Sequence, residues 1–590
     1  MRNIRGANTP MIERRSWRRM ALLALVMTLI WGGLGARLFY LHLGDNAHRL
    51  QKAENNHRRS REILVGRGRI LDRNDKVLAL DLSTKHVVVD PEVVLQSGYS
   101  RFVTHQLARV LELDPAMVAA KVNRPGRRFE YVMRHVPMDL ASEINSMGML
   151  GVFFNDASNR NYPGGRLASH VVGFANHEGV GSAGIELRFD RELRGVPGFR
   201  MTEIDGRHRE VYQRRTMDIQ PQEGSDVILT IDQHVQYFVE VALDKVMAQH
   251  NAKGAWAIVQ HVRSGDILAM ASRPAYDPNE FNRFRDDDRL NRAIGFVYEP
   301  GSTFKVAVFA AAFNEGLIKP EQIVDCENGR WIHNGRPLRD FHPYGRLSIA
   351  DALKKSSNIA AAKVALELGE ARLYDYLRAF GVGSRTGVGL PGEEGGILNP
   401  RSRWTSLSIS RIAMGHEVAT TALQLVNMQS AIGNQGYLMK PRIVKQVLNT
   451  RGDVILDVKE EVLARPIRAD TARLMCRLLA RITETGGTGV RAQVPGYTVA
   501  GKTGTAQKPT RGGYSDDDNI SSFMGLIPAE DPQLSIIVVV DEPQPERTGG
   551  RVAAPAFREI AEQVVRYLDI PPVPAEVAQE FQSIFVERPM

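Results

Sequence analysis

Cysteine is almost absent: Cys326 and Cys476 are the only two in 590 residues. Two are too few for a disulfide framework, so a chain of this length must fold on its hydrophobic core. The sequence leaves their pairing open. Metal-ligand clusters are missing too. His416-Glu417 opens a string like the zinc motif HExxH, but Thr420 stands where the second histidine belongs. No metal and no cofactor is expected. There is no basic helix and no aromatic-basic repeat, so the formal charge of +9 does not point to nucleic acid. With 43% apolar and 24% charged residues, the chain is not of a disordered class.

What is present begins near the N-terminus. From Met20 to Ala36 no residue is charged, and ALLALVMTLIWGGLGA is strongly apolar; after Arg37 the apolar character resumes through Leu41. Roughly 20 residues cross a bilayer, and this segment reaches that length if Arg37 snorkels to the interface. Ahead of it stand Arg2, Arg5, Arg14, Arg15, Arg18 and Arg19 against a single acid, Glu13. That bias predicts a cytoplasmic tail over residues 1–19, a membrane anchor over 20–43, and everything after it outside. A cleaved signal peptide is the competing reading, but the apolar run continues past the small residues near Gly33 and Gly35.

Residues 44–62 are polar and suit a short juxtamembrane helix. Gly66–Asp81 reads as two strands about an Asn74-Asp75 turn, residues 90–150 as broken helix, and 159–198 as glycine-rich turns. Character changes near Glu223. Val227–Asp232 reads as a strand and His234–His250 as a helix, followed by a hairpin, Ala255–Val262 and Ile267–Ser272. Helices dominate from about 303 to 435. Strands return at 497–499, 521–527 and 534–540, and a last helix spans 555–568. The pattern predicts an α+β fold, an antiparallel sheet flanked by helices, ending in a loosely held tail over 571–590.

Three short motifs carry chemistry. In Ser302-Thr303-Phe304-Lys305, Pro300-Gly301 marks a turn, so Ser302 falls at a helix start and Lys305 lies on the same helix face. A lysine with a lowered pKa can take the serine proton, and helix N-terminal N–H groups can hold an oxyanion. Lys305→Ala is expected to remove this base without removing a packing contact. Ser356-Ser357-Asn358 lies between two helical segments. Ser356 can relay a proton and Asn358 can hold a substrate amide, although Ser and Asn are also common helix caps. Lys502-Thr503-Gly504-Thr505 follows a strand-like YTVA. The string from Gly496 to Thr503 matches the P-loop pattern GxxxxGK[ST], but its loop is β-forming and TAQKPTRGGY behind it cannot run as a helix. As an edge strand it can instead pair with an extended peptide. Lys502, Thr503 and Thr505 would then receive a carboxylate, and Gly504 would permit close approach. The N–H groups of Ser302 and Thr505 would form the oxyanion hole.

SxxK, SxN and KTG in this order form the set shared by serine β-lactamases and penicillin-binding proteins. YEPGSTFK, SSNIAAAKVAL, GKTGTAQK, SSFMGLIPAEDP and RPAYDPNEFNR resemble the class B penicillin-binding proteins. GRGRILDRNDKVLA, NYPGGRLASHVVGF and GIELRFDRELRGVPG resemble the non-catalytic pedestal of that class. The resemblance covers nearly the whole chain after the anchor, departing at Met414-Gly415-His416-Glu417 from the usual tyrosine- and glycine-rich form. It implies an elongated pedestal (dimerisation-type) domain over 44–224 and a transpeptidase domain over 225–570. It also implies a two-step acyl transfer that cross-links peptidoglycan stem peptides, on glycan made from a lipid-linked precursor. Ser302, Lys305, Ser356 and Lys502 would be catalytic; Asn358, Thr503, Gly504 and Thr505 would bind substrate. β-Lactam antibiotics would acylate Ser302. Length and the single anchor most resemble the septal type, penicillin-binding protein 3, acting in the inner membrane beside a polytopic septal glycosyltransferase and other division proteins. The elongation-specific type, penicillin-binding protein 2, is the near alternative. A β-lactam sensor that acylates without turnover is an alternative of another class. A β-lactamase fits poorly, since Gly395 stands where the glutamate of an ExxLN string would be.

Overall fold

The computed structural model describes residues 11–44, 58–63, 65–204, 210–211, 217–510 and 513–583; residues 1–10, 45–57 and 584–590, on which parts of the predicted tail segments and juxtamembrane helix fall, lie outside that set. Two compact units result, one of residues 1–64 with 197–222 and one of 65–196 with 223–590.

In the first unit, a helix runs Met11–Phe39 and passes into a π-helical turn, Tyr40–Gly44. The helix therefore starts before the apolar run and carries Arg14 to Arg19 on its first turns. Ser16–His42 is long and apolar enough to cross a membrane, with a mean hydropathy of 1.8 and none of its most apolar stretch buried. Arg58–Ile63 is a strand rather than the end of a juxtamembrane helix, and it pairs antiparallel with Gly198–Ile204.

In the second unit, a seven-stranded sheet joins the two halves of the sequence. Its spine is the long strand Val77–Val89, paired with Glu130–Pro137 and Val152–Asn161. Through Ile70–Leu71 it continues in parallel to Asp226–Leu229 and onward to Val444–Leu448. The stretch read as broken helix contains three helices between 91 and 122 and then the strand Glu130–Pro137. In EYVMRHVP only Val132 and Val136 are buried, so the strand carries no clean two-residue period to set it apart from the helical patterns around it. A buried ionic cluster ties these elements together: Arg67 and Arg160 both grip the Glu186 carboxylate, at 2.6 and 2.7 Å.

The catalytic half is a five-stranded antiparallel sheet with helices on both faces. Its elements are α1 (Gln233–His250), β1 (Gly254–His261), β2 (Ile267–Arg273), α2 (Lys305–Asn314), α3 (Asn358–Leu368), α4 (Ala422–Gly433), α5 (Ala469–Ala480), β3 (Ala500–Thr510), β4 (Gly513–Ile527), β5 (Leu534–Asp541) and α6 (Ala553–Tyr567). The strand order is β2-β1-β5-β4-β3, so β3 is an edge. Strands β1, β2 and β5 are apolar on both faces because helices cover both. Helix α1 and α6 pack on one side. α2, α4 and α5 pack on the other, around a core that includes Trp256, Phe304 and Phe309. Every residue of α2 from Lys305 to Phe313 is buried, as its nearly continuous apolar sequence requires. Within the predicted tail a helix spans Ala575–Ser583, and its Phe581 packs against the core 5.5 Å from the Arg477 guanidinium.

Candidate active site

Ser302 lies in the 3₁₀ turn Gly301–Phe304 that leads into α2. Gly301 takes φ +57°, and a Cβ there would sit 3.2 Å from both Ala506 Cβ and the Thr505 carbonyl on β3. Glycine thus meets two demands, a left-handed backbone and a strand pressed against the turn. Gly504 answers the same closeness from the other side: a Cβ would lie 2.3 Å from Ser522 Oγ and 3.0 Å from Thr303 Cγ2. Its first role is therefore to let β3 dock beside the Ser302 turn.

Lys305 is fully buried, with its ammonium 2.6 Å from the Ser356 carbonyl, 2.7 Å from Asn358 Oδ1 and 3.3 Å from Ser356 Oγ. Burial lowers its pKa to about 7, although the Asp340 charge opposes this. Three acceptors hold the amine on the Ser356 side, and no hydrogen bond joins it to Ser302 Oγ. The expected direct Ser302–Lys305 contact is not made in this state. The expectation that Lys305 has no packing role also fails, since its removal leaves a buried void and two orphaned acceptors.

Ser356 adopts φ +61°, which is uncommon for a residue with a side chain. This backbone turns its carbonyl to Lys305 while its hydroxyl stays in the cavity wall. The helix cap belongs to its neighbour. Ser357 Oγ accepts from Ala360 N at 3.0 Å and donates to Asp340 Oδ2 at 2.6 Å. Asp340 Oδ1 accepts from the backbone N–H groups of Asn358 and Ile359, so a carboxylate crowns the α3 N-terminus where the helix dipole favours it. Asn358 also donates to the Arg339 carbonyl at 2.8 Å. Asp340 went unread in the sequence. It follows a short hairpin, Arg330–His333 with Arg336–Arg339, inside a region read as helical.

On β3, side chains alternate. Thr503, Thr505 and Gln507 line the cavity, while Lys502 points the other way and is fully buried. Its ammonium donates to Ser356 Oγ at 2.8 Å and the Thr503 carbonyl at 3.0 Å. Burial pushes its pKa well down, helped by repulsion from Lys305. Lys502 therefore meets the cavity wall through Ser356, unlike the neighbouring threonines grouped with it from sequence, which line the cavity themselves. Thr503 Oγ1 is 2.8 Å from Thr488 Oγ1, and Thr505 Oγ1 accepts from Gly549 N at 3.1 Å. Thr488 and Gly549 were missed; their only sequence signal is a paired glycine, Gly486-Gly487 and Gly549-Gly550, beside each. The cavity that these groups share with Ser302 has a volume of about 970 Å³ and is walled further by Phe341, His342 and His416. Burial, with Arg411 and Lys305 nearby, lowers the His416 pKa to about 4, so its ring is neutral near pH 7.

The chain is similar to known proteins along nearly its whole length. Residues 255–562 match the penicillin binding protein transpeptidase domain and residues 62–229 the penicillin-binding protein dimerisation domain. The chain is 30% identical to a probable peptidoglycan D,D-transpeptidase PenA of Neisseria meningitidis, over 94% of this chain and 93% of that one. It is also 30% identical to the peptidoglycan D,D-transpeptidase FtsI of Escherichia coli, with the same coverage. Penicillin binding protein 3 of Mycobacterium tuberculosis, solved with aztreonam, superposes with a TM-score of 0.68 at 28% identity, covering 87% of this chain and 98% of that one. On the catalytic sheet, the three motifs and these full-length similarities, the chain belongs to the peptidoglycan D,D-transpeptidase family of penicillin-binding proteins.

Proposed function

We propose that the chain cross-links the stem peptides of septal cell wall during division, through an acyl-enzyme on Ser302. The observation that carries this reading is the convergence of Lys305 and Lys502 on Ser356, with Asn358 holding Lys305, beside the cavity that Ser302 lines. Lys305, with a pKa near 7, takes the Ser302 Oγ proton as the oxygen attacks the penultimate D-alanyl carbonyl. The N–H groups of Ser302 and Thr505 hold the oxyanion. Ser302 N–H belongs to the first turn of a helix, where no preceding carbonyl claims it. As the C–N bond breaks, Ser356 Oγ passes a proton to the leaving D-alanine amine and is resupplied from the lysines. Asn358 positions the donor amide, Gly504 lets β3 approach, and Thr503 and Thr505 receive the terminal carboxylate.

The proposed organisation is a cytoplasmic tail over 1–19, an inner-membrane anchor over 20–43 and, outside the membrane, a pedestal over 44–224, a transpeptidase domain over 225–570 and a tail over 571–590. The basic residues ahead of the apolar helix and the two domain matches support it. The near full-length similarity to FtsI supports the septal role, with a polytopic glycosyltransferase and other division proteins as partners. Depleting the protein tests that role: filaments with blocked septa are expected, whereas round, non-elongating cells would indicate the elongation-specific type. Loss of new cross-links on nascent glycan in a Ser302→Ala strain tests the chemistry.

A further inference from the structure

Two cavities of opposite charge flank the loop of residues 414–417. The larger, which holds Ser302, is lined by Lys355, Arg491, Arg547 and Arg551, and by no Asp or Glu among the described residues. The second, of about 590 Å³, lies beside Glu299 and Glu417 and shares Gln507 with the first. His416 lines one cavity and Glu417 the other, so a single residue step separates them. The loop is fixed to the Ser302 turn itself: Gly301 N–H donates to the Gly415 carbonyl at 3.2 Å, and Glu417 N–H to Glu299 Oε1 at 3.0 Å.

The second cavity is not electrically satisfied by its own walls. Glu299 Oε1 also accepts from the Tyr514 hydroxyl at 3.2 Å, but Oε2 is buried without a partner. Among the described residues, Glu299 takes its hydrogen bonds from the Glu417 N–H and the Tyr514 hydroxyl rather than from a cation. Lys508 is the one cation among the described lining residues, and its ammonium is held at 2.6 Å by both Asp541 and Glu542. Tyr298, only 5% exposed, also lines this cavity, and its hydroxyl has no partner. The remaining wall is mostly apolar, with Phe296, Val418 and Ile520 among its residues. A buried carboxylate oxygen with no donor is costly unless a ligand supplies one. An aliphatic chain ending in an ammonium group would satisfy both the walls and the acids.

We propose that this second cavity is the acceptor subsite, which holds the amine-bearing side chain of the attacking stem peptide through Glu299 and Glu417. The inference rests on the transpeptidase reading and assigns its second substrate a place. Donor and acceptor differ in the charge of the end that must be recognised, a carboxylate against an amine. One cavity cannot favour both electrostatically. Chemically, the bound ammonium releases one proton to solvent. Its nitrogen then attacks the acyl carbonyl on Ser302, a C–N bond forms, the C–O bond to Ser302 breaks, and the second proton returns to Ser302 Oγ.

The test follows how the acyl-enzyme divides between amine and water. Full-length protein in detergent is given an acyl-D-alanyl thioester as donor and Nα-acetyl-lysinamide as acceptor, and amide and acid products are counted by mass spectrometry. Glu299→Gln and Glu417→Gln are each expected to lower the amide-to-acid ratio about tenfold, the loss of one charge-assisted contact, with a raised acceptor KM. An unchanged ratio in both variants overturns the proposal, as does a wild type that hydrolyses the donor yet makes no amide. Should Glu299→Gln fail to fold, Glu417→Gln decides alone, because its exposed side chain supports no other contact. Absence of any acyl-enzyme on wild-type Ser302 would sink the transpeptidase reading itself, a result separate from a failed acceptor subsite.

Discussion

Lys305 and Lys502 place their ammonium nitrogens on one oxygen, Ser356 Oγ, at 3.3 and 2.8 Å. Both are fully buried, and two like charges this close cannot both stay protonated without penalty. One hydroxyl thereby links a potential base beside the nucleophile to a second proton store on β3. On the proposed mechanism, this hydroxyl would carry the proton taken from Ser302 on to the leaving amine.

Lys305 should control the pH dependence of acylation. Its amine must be neutral to accept the proton, so the second-order rate of β-lactam acylation should climb as pH rises through about 7 and level off above. Stability carries the same signature. The folded value lies below the unfolded 10.5, so the folded chain binds fewer protons between those limits, and stability rises with pH across that window. Lys305→Met fills most of the volume; it should flatten the stability slope and lower acylation by roughly 10²–10⁴-fold. An unaltered rate in that variant would remove Lys305 from the mechanism.

Asp340 should matter to both fold and rate, since its carboxylate is the common acceptor for Ser357 Oγ and the first N–H groups of α3. Asp340→Ala is expected to cost about 1–2 kcal/mol, read as a lower melting temperature, and to slow acylation by loosening Asn358. A variant with wild-type melting and rate would show that the cap is dispensable.

Gly504→Ala should be severe for so small a change. The added methyl meets Ser522 Oγ and Thr303 Cγ2, and relief requires β3 to move off the Ser302 turn. Overpacking of this kind costs about 1–3 kcal/mol. Thermal denaturation should show that loss together with slower acylation, and a neutral substitution would mean the strand has slack.

Thr503→Ala removes the hydroxyl that faces the cavity and leaves Thr488 Oγ1 without its partner. The rate of acylation by a carboxylate-bearing β-lactam should fall about tenfold, the scale of one hydrogen bond to a charged group. The same rate for mutant and wild type would exclude Thr503 from carboxylate recognition.

Much of this site was legible because its chemistry is local in sequence. Ser302 and Lys305 share a helical turn, and the β period of Thr503, Gly504 and Thr505 places two hydroxyls on one face. Lys502 shows the limit: strand alternation sends it to the opposite face from Thr503, and only the fold reveals that it ends on Ser356. Asp340 and Thr488 act across long sequence separations, with no motif to announce them. The strand Glu130–Pro137 and the hairpin before Asp340 were hidden by helical segments on either side. The helix Ala575–Ser583 was not read because Pro571, Pro572 and Pro574 stand just ahead of it.

The central claim is that Ser302 forms the acyl-enzyme, and intact-protein mass after exposure to a penicillin tests it most directly, with Ser302→Ala alongside. A stable added mass of one penicillin on the wild type alone is the predicted result. An adduct of equal mass on the Ser302→Ala variant, or no adduct on either protein, would contradict it.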